Sequence, residues 1–248
     1  EDFKVYVLIP VYPAGNIEDI TTRYIIKYIF KTISRQGNSI KEKLKNEFPD
    51  EDIDQRLCFF SLRNYGVLGG TPVTEQVYIH AKMMLVDDRI AIIGSANIND
   101  RSMLGTRDSE ICAFVEQPQT LVDGVMNGKP FKVSSFARDL RVKLWKDYLG
   151  MDNELITQKL QDPVAEETYK LLFNIAQNNT LIYKSVFPSI PENVKSLSDI
   201  RPADPRNIEQ LHSILGFLVL FPMDFFELEQ MSPTILHKEF VMPRYVFL

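Results

Sequence analysis

Residues 3–12, FKVYVLIPVY, run apolar and stop at Pro13, as a strand does on entering a loop. From Ile20 to about Phe48 the apolar positions switch to helical spacing (Tyr24, Ile25, Tyr28, Ile29, Ile33). That pattern breaks at Gly37-Asn38 and resumes in SIKEKLKNEF, which predicts two helices. LCFFSLRNYG (57–66) predicts a second strand, and VLGGTPVTE reads as a glycine-bearing loop after it. Residues 76–86 and 90–93 predict two further strands around a tight turn at Asp87-Asp88-Arg89. The polar crossover GSANINDRSMLGTRDSE follows, and then a strand over Ile111–Val115. Strands alternating with helices place the chain in the α/β class.

Beyond residue 120 the pattern turns helical. FARDLRVKLWKDYLGM (136–151) puts Phe136, Leu140, Leu144 and Trp145 on one side and Arg138, Arg141 and Lys143 elsewhere, as a packing helix does. Another helix is expected after Pro163, and the proline-bearing end with GFLVLFPMDFF is expected to wrap the core as strand and loop.

Composition narrows the classes. A hydrophobic fraction of 45% over 248 residues is a globular composition, ample for a core. A net charge of −5 argues against wholesale capture of nucleic acid and leaves any anion site local. Cys58 and Cys112 sit in apolar strand-like runs without metal-ligand spacing, so both are expected as buried, reduced thiols. The longest apolar run, ILGFLVLF, falls well short of the ~20 residues that a membrane span needs. No signal peptide is visible, and the sequon Asn178-Asn179-Thr180 is read as chance. Because the chain opens on Glu1 and is strand-like from residue 3, it is expected to be part of a longer protein.

The candidate chemistry lies in VYIHAKMMLVDD (77–88) and the residues after it. On a continuous strand His80, Lys82, Met84 and Val86 would share one face, with His80 beside Lys82. A buried ammonium needs an anion partner, and a ligand phosphate would serve. Gly94 lets the backbone approach such a ligand, and Ser95, Asn97 and nearby N–H groups would add donors. An imidazole, an ammonium, a hydroxyl and an amide converging on one anion are the parts of a phosphoryl-transfer site.

The order His80-x-Lys82-x-x-x-x-Asp87, followed by IIGSANINDRS and RDSE, resembles the second HKD motif of the phospholipase D superfamily. The longer string GSANINDRSMLGTRDSE is similar to its eukaryotic, phosphatidylcholine-hydrolysing branch. The likeness is dense over 76–116 and runs more loosely from VYVLIPVYPAG to GFLVLFPMDFF and the final MPRYVFL. It implies an α-β-α sandwich half-domain over 1–150, with 151–248 as a C-terminal extension packed on it. It also implies that this is the C-terminal half of the enzyme, completed by an N-terminal half carrying a first HKD motif. In such a pair one His forms a phosphohistidine and the other, here His80, protonates the leaving alcohol. Lys82 and Asn97 would grip phosphate oxygens with help from Ser95, and Glu110 would orient His80, with Asp108 as the alternative. Asp87 and Gly94 would be structural, Asp87 capping the turn and pairing with an arginine such as Arg101.

The resemblance further implies a phosphatidylcholine membrane as substrate, a cytoplasmic, peripheral-membrane location and no nucleic-acid partner. Phosphoinositide activation would act through regions outside this chain, and neither cofactor nor metal is expected. Only one HxKxxxxD occurs; His212 and His237 lack the following Lys and Asp and are read as structural. Two alternatives stay open: a single-motif phosphodiesterase or nuclease completed by a second copy, or an inactive fragment that binds lipid or protein.

Overall fold

The computed structural model describes residues 3–13, 15–187, 192–202 and 204–232. Strand β1 (Val5–Leu8) leads to helices α1 (Ile20–Ile33), α2 (Ile40–Glu47) and α3 (Ile53–Arg56). Helix α2 starts on a capping box, in which Ser39 and Glu42 each accept a backbone N–H from the other's end of the first turn. Strands β2 (Leu57–Leu68), β3 (Thr71–Gln76), β4 (Lys82–Val86) and β5 (Ile90–Gly94) follow. Next come α4 (Asp100–Met103), β6 (Cys112–Glu116), β7 (Val122–Met126), β8 (Lys129–Val133), α5 (Ser135–Leu149), α6 (Glu154–Lys159) and α7 (Glu166–Val186). Short 3-10 helices at Leu197–Asp199 and Pro205–Ser213 precede β9 (Leu218–Leu220). The class is mixed α/β, with helices flanking the sheets, as the pattern predicts.

The described residues divide into two compact units, one built around Ile79–Ala176 with Leu215–Leu218, the other around residues 4–78, 177–214 and 219–232. In the second unit β2 is central: β1 pairs parallel to its first residues, β3 antiparallel to its last, and β9 also pairs with it. Leu57 to Arg63 of β2 are buried on both faces, and from Asn64 the strand emerges into solvent. Its core gathers Val11, Ile26, Phe30, Leu57, Phe59, Phe221, Phe225 and Phe226. The run GFLVLFPMDFF thus supplies β9 and a large part of this core, with Phe225 and Phe226 stacked at 4.4 Å.

The first unit holds the three-stranded antiparallel sheet β4-β5-β6 and the hairpin β7-β8. It contains a buried ion pair. Arg141 of α5 donates to both Asp88 carboxylate oxygens at 2.7 Å, and also to the Leu160 carbonyl at 2.7 Å. The Ser134 N–H donates to the Asp88 carbonyl at 2.8 Å, so the β4-β5 turn is tied to the start of α5 by side chain and backbone. Removing one member of such a buried bidentate pair costs about 3–5 kcal/mol, because the other charge is left uncompensated.

Several expectations change here. VLGGTPVTE forms part of a hairpin rather than a loop, because Gly69 and Gly70 take the positive φ of a two-residue turn. The strand expected over 76–86 starts only at Lys82, and residues 77–81 are irregular. The predicted turn at 87–89 is present: the Arg89 N–H donates to the Val86 carbonyl, with Asp87 and Asp88 both at positive φ. Asp87 is exposed and Arg101 pairs with Asp108, so the expected Asp87–Arg101 pair is replaced by Asp88–Arg141. The buried stripe of α5 is Ala137, Arg141, Val142 and Leu149, rotated from the predicted one because the Asp88 carboxylate draws Arg141 inward. Cys58 is buried as expected, whereas Cys112, opposite Gly94 at the open end of its sheet, is exposed. His212 is exposed on a 3-10 helix; His237 and MPRYVFL lie outside the described residues. Among the described residues no helix is long and apolar enough to cross a membrane.

Candidate active site

The site forms at the end of the β4-β5-β6 sheet where β4 begins and β5 stops. The register aligns Lys82 with Gly94 and Gly94 with Cys112. Glycine is required at the centre of this row: a Cβ at 94 would fall on the Ile111 carbonyl oxygen and within 2.8 Å of Cys112 Cα. The close approach lets the chain after β5 run directly against the chain before β6. The Ser95 N–H donates to the Ile111 carbonyl at 2.9 Å, and the Ile111 N–H donates back to Ser95 Oγ at 3.0 Å.

Ser95 Oγ also donates to Glu110 Oε2 at 2.5 Å. Ser102, on the short helix α4, is Glu110's other hydroxyl partner. Hydrogen bonds from Ser102 and then Ser95, with the positive charges of Lys82 and Arg101 behind them, hold the Glu110 carboxyl below the usual carboxylate range. An exposed carboxylate is thereby kept ionised and fixed in direction.

The crossover loop is ordered by its own side chains. Asn99 caps α4, its Oδ1 accepting the Ser102 N–H at 3.1 Å, and Ser102 Oγ accepts the Asn97 N–H at 3.0 Å. Arg101 pairs with Asp108 at 2.9 Å, closing the loop base. Ser102 therefore joins Asn97 to Glu110, a role the sequence reading missed. The available signal was local: Ser102 stands three residues after an Asn that can cap a helix.

His80 precedes β4, so strand alternation does not set its direction, and it is exposed. Its backbone carbonyl accepts a hydrogen bond from Lys82 Nζ at 2.7 Å. Lys82 itself is half-buried and shares the face of Met84, across the sheet from Ile92 and Phe114. The structure thus ties Ser95, Ser102 and Glu110 together, sets Lys82 close enough to act on that carboxylate, and links Lys82 to His80 through the backbone. Asn97 enters through its backbone N–H, Asp108 through Arg101, and Asp87 lies at the far end of the hairpin. Among the described residues no cluster of three or more His, Cys, Asp or Glu side chains is placed to hold a metal ion. An ammonium, hydroxyls and an oriented anion, with an exposed histidine two residues before the ammonium in the chain, suit an oxyanion substrate that arrives from solvent.

Residues 1–195 match the family model described as phospholipase D. Among curated proteins, phospholipase D B of Dictyostelium discoideum is 43% identical over 91% of this chain and 19% of its own length. Phospholipase D zeta 1 of Arabidopsis thaliana is 38% identical over 99% of this chain and 26% of its own length. Human phospholipase D1 is 37% identical over 100% of the chain and 24% of its own length. The chain therefore spans about a fifth to a quarter of the length of these three relatives.

Proposed function

The chain belongs to the phospholipase D family, and from that premise we propose that it is the C-terminal catalytic half of an enzyme hydrolysing phosphatidylcholine to phosphatidate and choline. The observation that carries this reading is the row Lys82–Gly94–Cys112, with Glu110 held between Ser95 and Ser102 next to it. A second HKD motif, in an N-terminal half, completes the site; this chain contains one.

In the first step the partner motif's imidazole attacks phosphorus, and the phosphorus–oxygen bond to choline breaks. Protonated His80 gives its proton to the leaving choline oxygen, and a phosphohistidine remains. In the second step neutral His80 takes a proton from water as the water oxygen attacks phosphorus. Phosphatidate leaves and the partner imidazole is restored. A primary alcohol in place of water yields the phosphatidylalcohol. Lys82 and Asn97 hold the nonbridging oxygens, where negative charge builds up, and Ser95 assists. Glu110 favours the imidazolium and sets its orientation, which an ionised, doubly hydrogen-bonded carboxylate does better than a mobile one. Asp87 serves the hairpin turn. Neither cofactor nor metal enters these steps. With this activity we infer a peripheral location at the cytoplasmic face of a membrane, no nucleic-acid partner, and phosphoinositide activation through regions outside this chain.

The test is transphosphatidylation by the full-length protein that carries this chain, with phosphatidylcholine and a primary alcohol. His80→Ala is expected to lower phosphatidylalcohol formation by about 10²–10⁴-fold, the range for a lost general acid. Product formation at the wild-type rate in the variant would end the assignment.

A further inference from the structure

The outer part of the β2-β3 hairpin has no role in the chemistry above, and its composition is unusual for a solvated turn. From Asn64 to Thr74 there is no Asp, Glu, Lys or Arg. At the tip Val67 is 70% and Leu68 73% exposed, and Val73 is exposed behind them. The register pairs Val67 with Pro72 and Gly66 with Val73, so Val67 and Pro72 lie on one face while Leu68 and Val73 lie on the other. We propose that this tip is a membrane-docking element that inserts into the outer part of a phospholipid leaflet.

Three features favour a lipid over a protein partner. A protein packed on a two-stranded ribbon covers one face, whereas a leaflet surrounds both, and here both are apolar. Strand addition at the β3 edge is disfavoured: in a hairpin closed by a two-residue turn, Leu68 and Thr71 form the hydrogen-bonded pair, so position 72 would present its N–H to that edge. Pro72 has none to present. The dimensions also fit. From Tyr65 to the Gly69-Gly70 turn the ribbon extends about 13–16 Å at ~3.3 Å per residue, enough to pass the headgroups and reach the acyl boundary.

The base of the ribbon is braced. Arg63 is buried, with its guanidinium 4.3 Å from the Tyr183 ring centroid and its Nε donating to Thr74 Oγ1 at 2.9 Å. Tyr65 packs edge-on against the same Tyr183 ring at 6.4 Å. A half-buried tyrosine at the base and uncharged apolar residues beyond it follow the order of a water–lipid interface. The hairpin then runs through Gln76 to His80 within a few residues of chain, which couples docking to the site covalently.

The choice of a lipid surface rests on the proposed phospholipid substrate, so the experiment separates the two. The full-length protein is floated with phosphatidylcholine vesicles and assayed on those vesicles and on monomeric short-chain phosphatidylcholine. Val67→Asp with Leu68→Asp is expected to weaken vesicle binding about tenfold or more and vesicle turnover with it, while monomer turnover stays at wild type. Leu68→Trp is expected to keep or raise vesicle affinity, and its added fluorescence should shift to the blue on vesicle addition. Unchanged vesicle binding by the aspartate variant would overturn the proposal. So would equal loss on both substrates, which marks a tip packed against protein, whether another region or a second copy. A wild type that binds vesicles but turns over neither substrate would count against the proposed activity and leave the docking result standing.

Discussion

The two main sheets are written in similar residues and buried very differently. In the β1-β2-β3 sheet with β9, Leu57 to Arg63 are enclosed and Phe225 beneath them is 0% exposed. In the β4-β5-β6 sheet only Ala91 is fully enclosed, while Met83, Met84, Ile93 and Phe114 reach solvent, Phe114 at 59%. The first sheet is held by aromatic packing. The second is held by its ladder, by the turn anchored through Asp88 and Arg141, and by the hydroxyl network around Glu110. A strand's hydrophobicity therefore does not measure its burial here, and the sheet with less cover is the one that carries the candidate site.

The sharpest way to break that comparison is one substitution made at each sheet, in the core beneath the first and on a strand of the second. Phe225→Ala removes a fully enclosed ring and is expected to cost about 3–5 kcal/mol. Phe114→Ala, on the open sheet, is expected to cost within about 1 kcal/mol. Chemical denaturation of the two variants checks the pair. Equal costs would mean that the face bearing Phe114 is covered when the protein is measured.

This contrast marks where the sequence was readable. Helices α1, α2, α5 and α7, strands β2, β5 and β6, and the turn at 87–89 followed from periodicity and turn residues, because those signals are local. The hairpins β2-β3 and β7-β8 depend on Gly69-Gly70 and Asn127-Gly128 at positive φ; in the sequence the first pair reads equally as a loop and the second carries no strand signal strong enough to mark a hairpin. Burial was the least legible property. Alternation suggested an enclosed strand from 76 to 86, but His80 lies before the strand and Cys112 faces solvent, since what covers a face is decided by distant chain. The same limit hid Asp88–Arg141: a charged residue on a buried helix face is visible only once its partner, far away in sequence, is placed. The site block was legible as a set of residue types, and Ser102's linking position was not.

A smaller effect is expected where the open sheet is tightest. In Gly94→Ala the new methyl meets the Ile111 carbonyl and the Cys112 backbone, neither of which can rotate away. Strand β6 must shift, at a cost of about 1–3 kcal/mol, and Ser95 and Glu110 shift with it. Turnover by the full-length protein is expected to fall about 10–100-fold while the fold persists, a loss in keeping with ångström-scale misplacement. Full activity with the methyl in place would mean that the row Lys82–Gly94–Cys112 does not set the site geometry.

The mildest perturbation removes one hydroxyl, which is both a donor to Glu110 and the acceptor of the Asn97 N–H. Ser102 is the foremost of the groups holding the Glu110 carboxyl below its usual range. Removing that hydroxyl in Ser102→Ala withdraws a donor to the ionised form, so the Glu110 pKa rises toward the ordinary carboxylate value. A depressed carboxyl stays charged as the pH falls, and a less depressed one takes its proton earlier. If ionised Glu110 orients His80, the acidic limb of the rate profile moves to higher pH in Ser102→Ala, while turnover near neutrality changes severalfold at most. Glu110→Gln, which has no charge to lose, removes that component of the limb and lowers the rate across the whole range. The pH profiles of the three proteins separate a carboxylate that acts on His80 from one that only ties the loop. In the second case Ser102→Ala scales the profile without moving it.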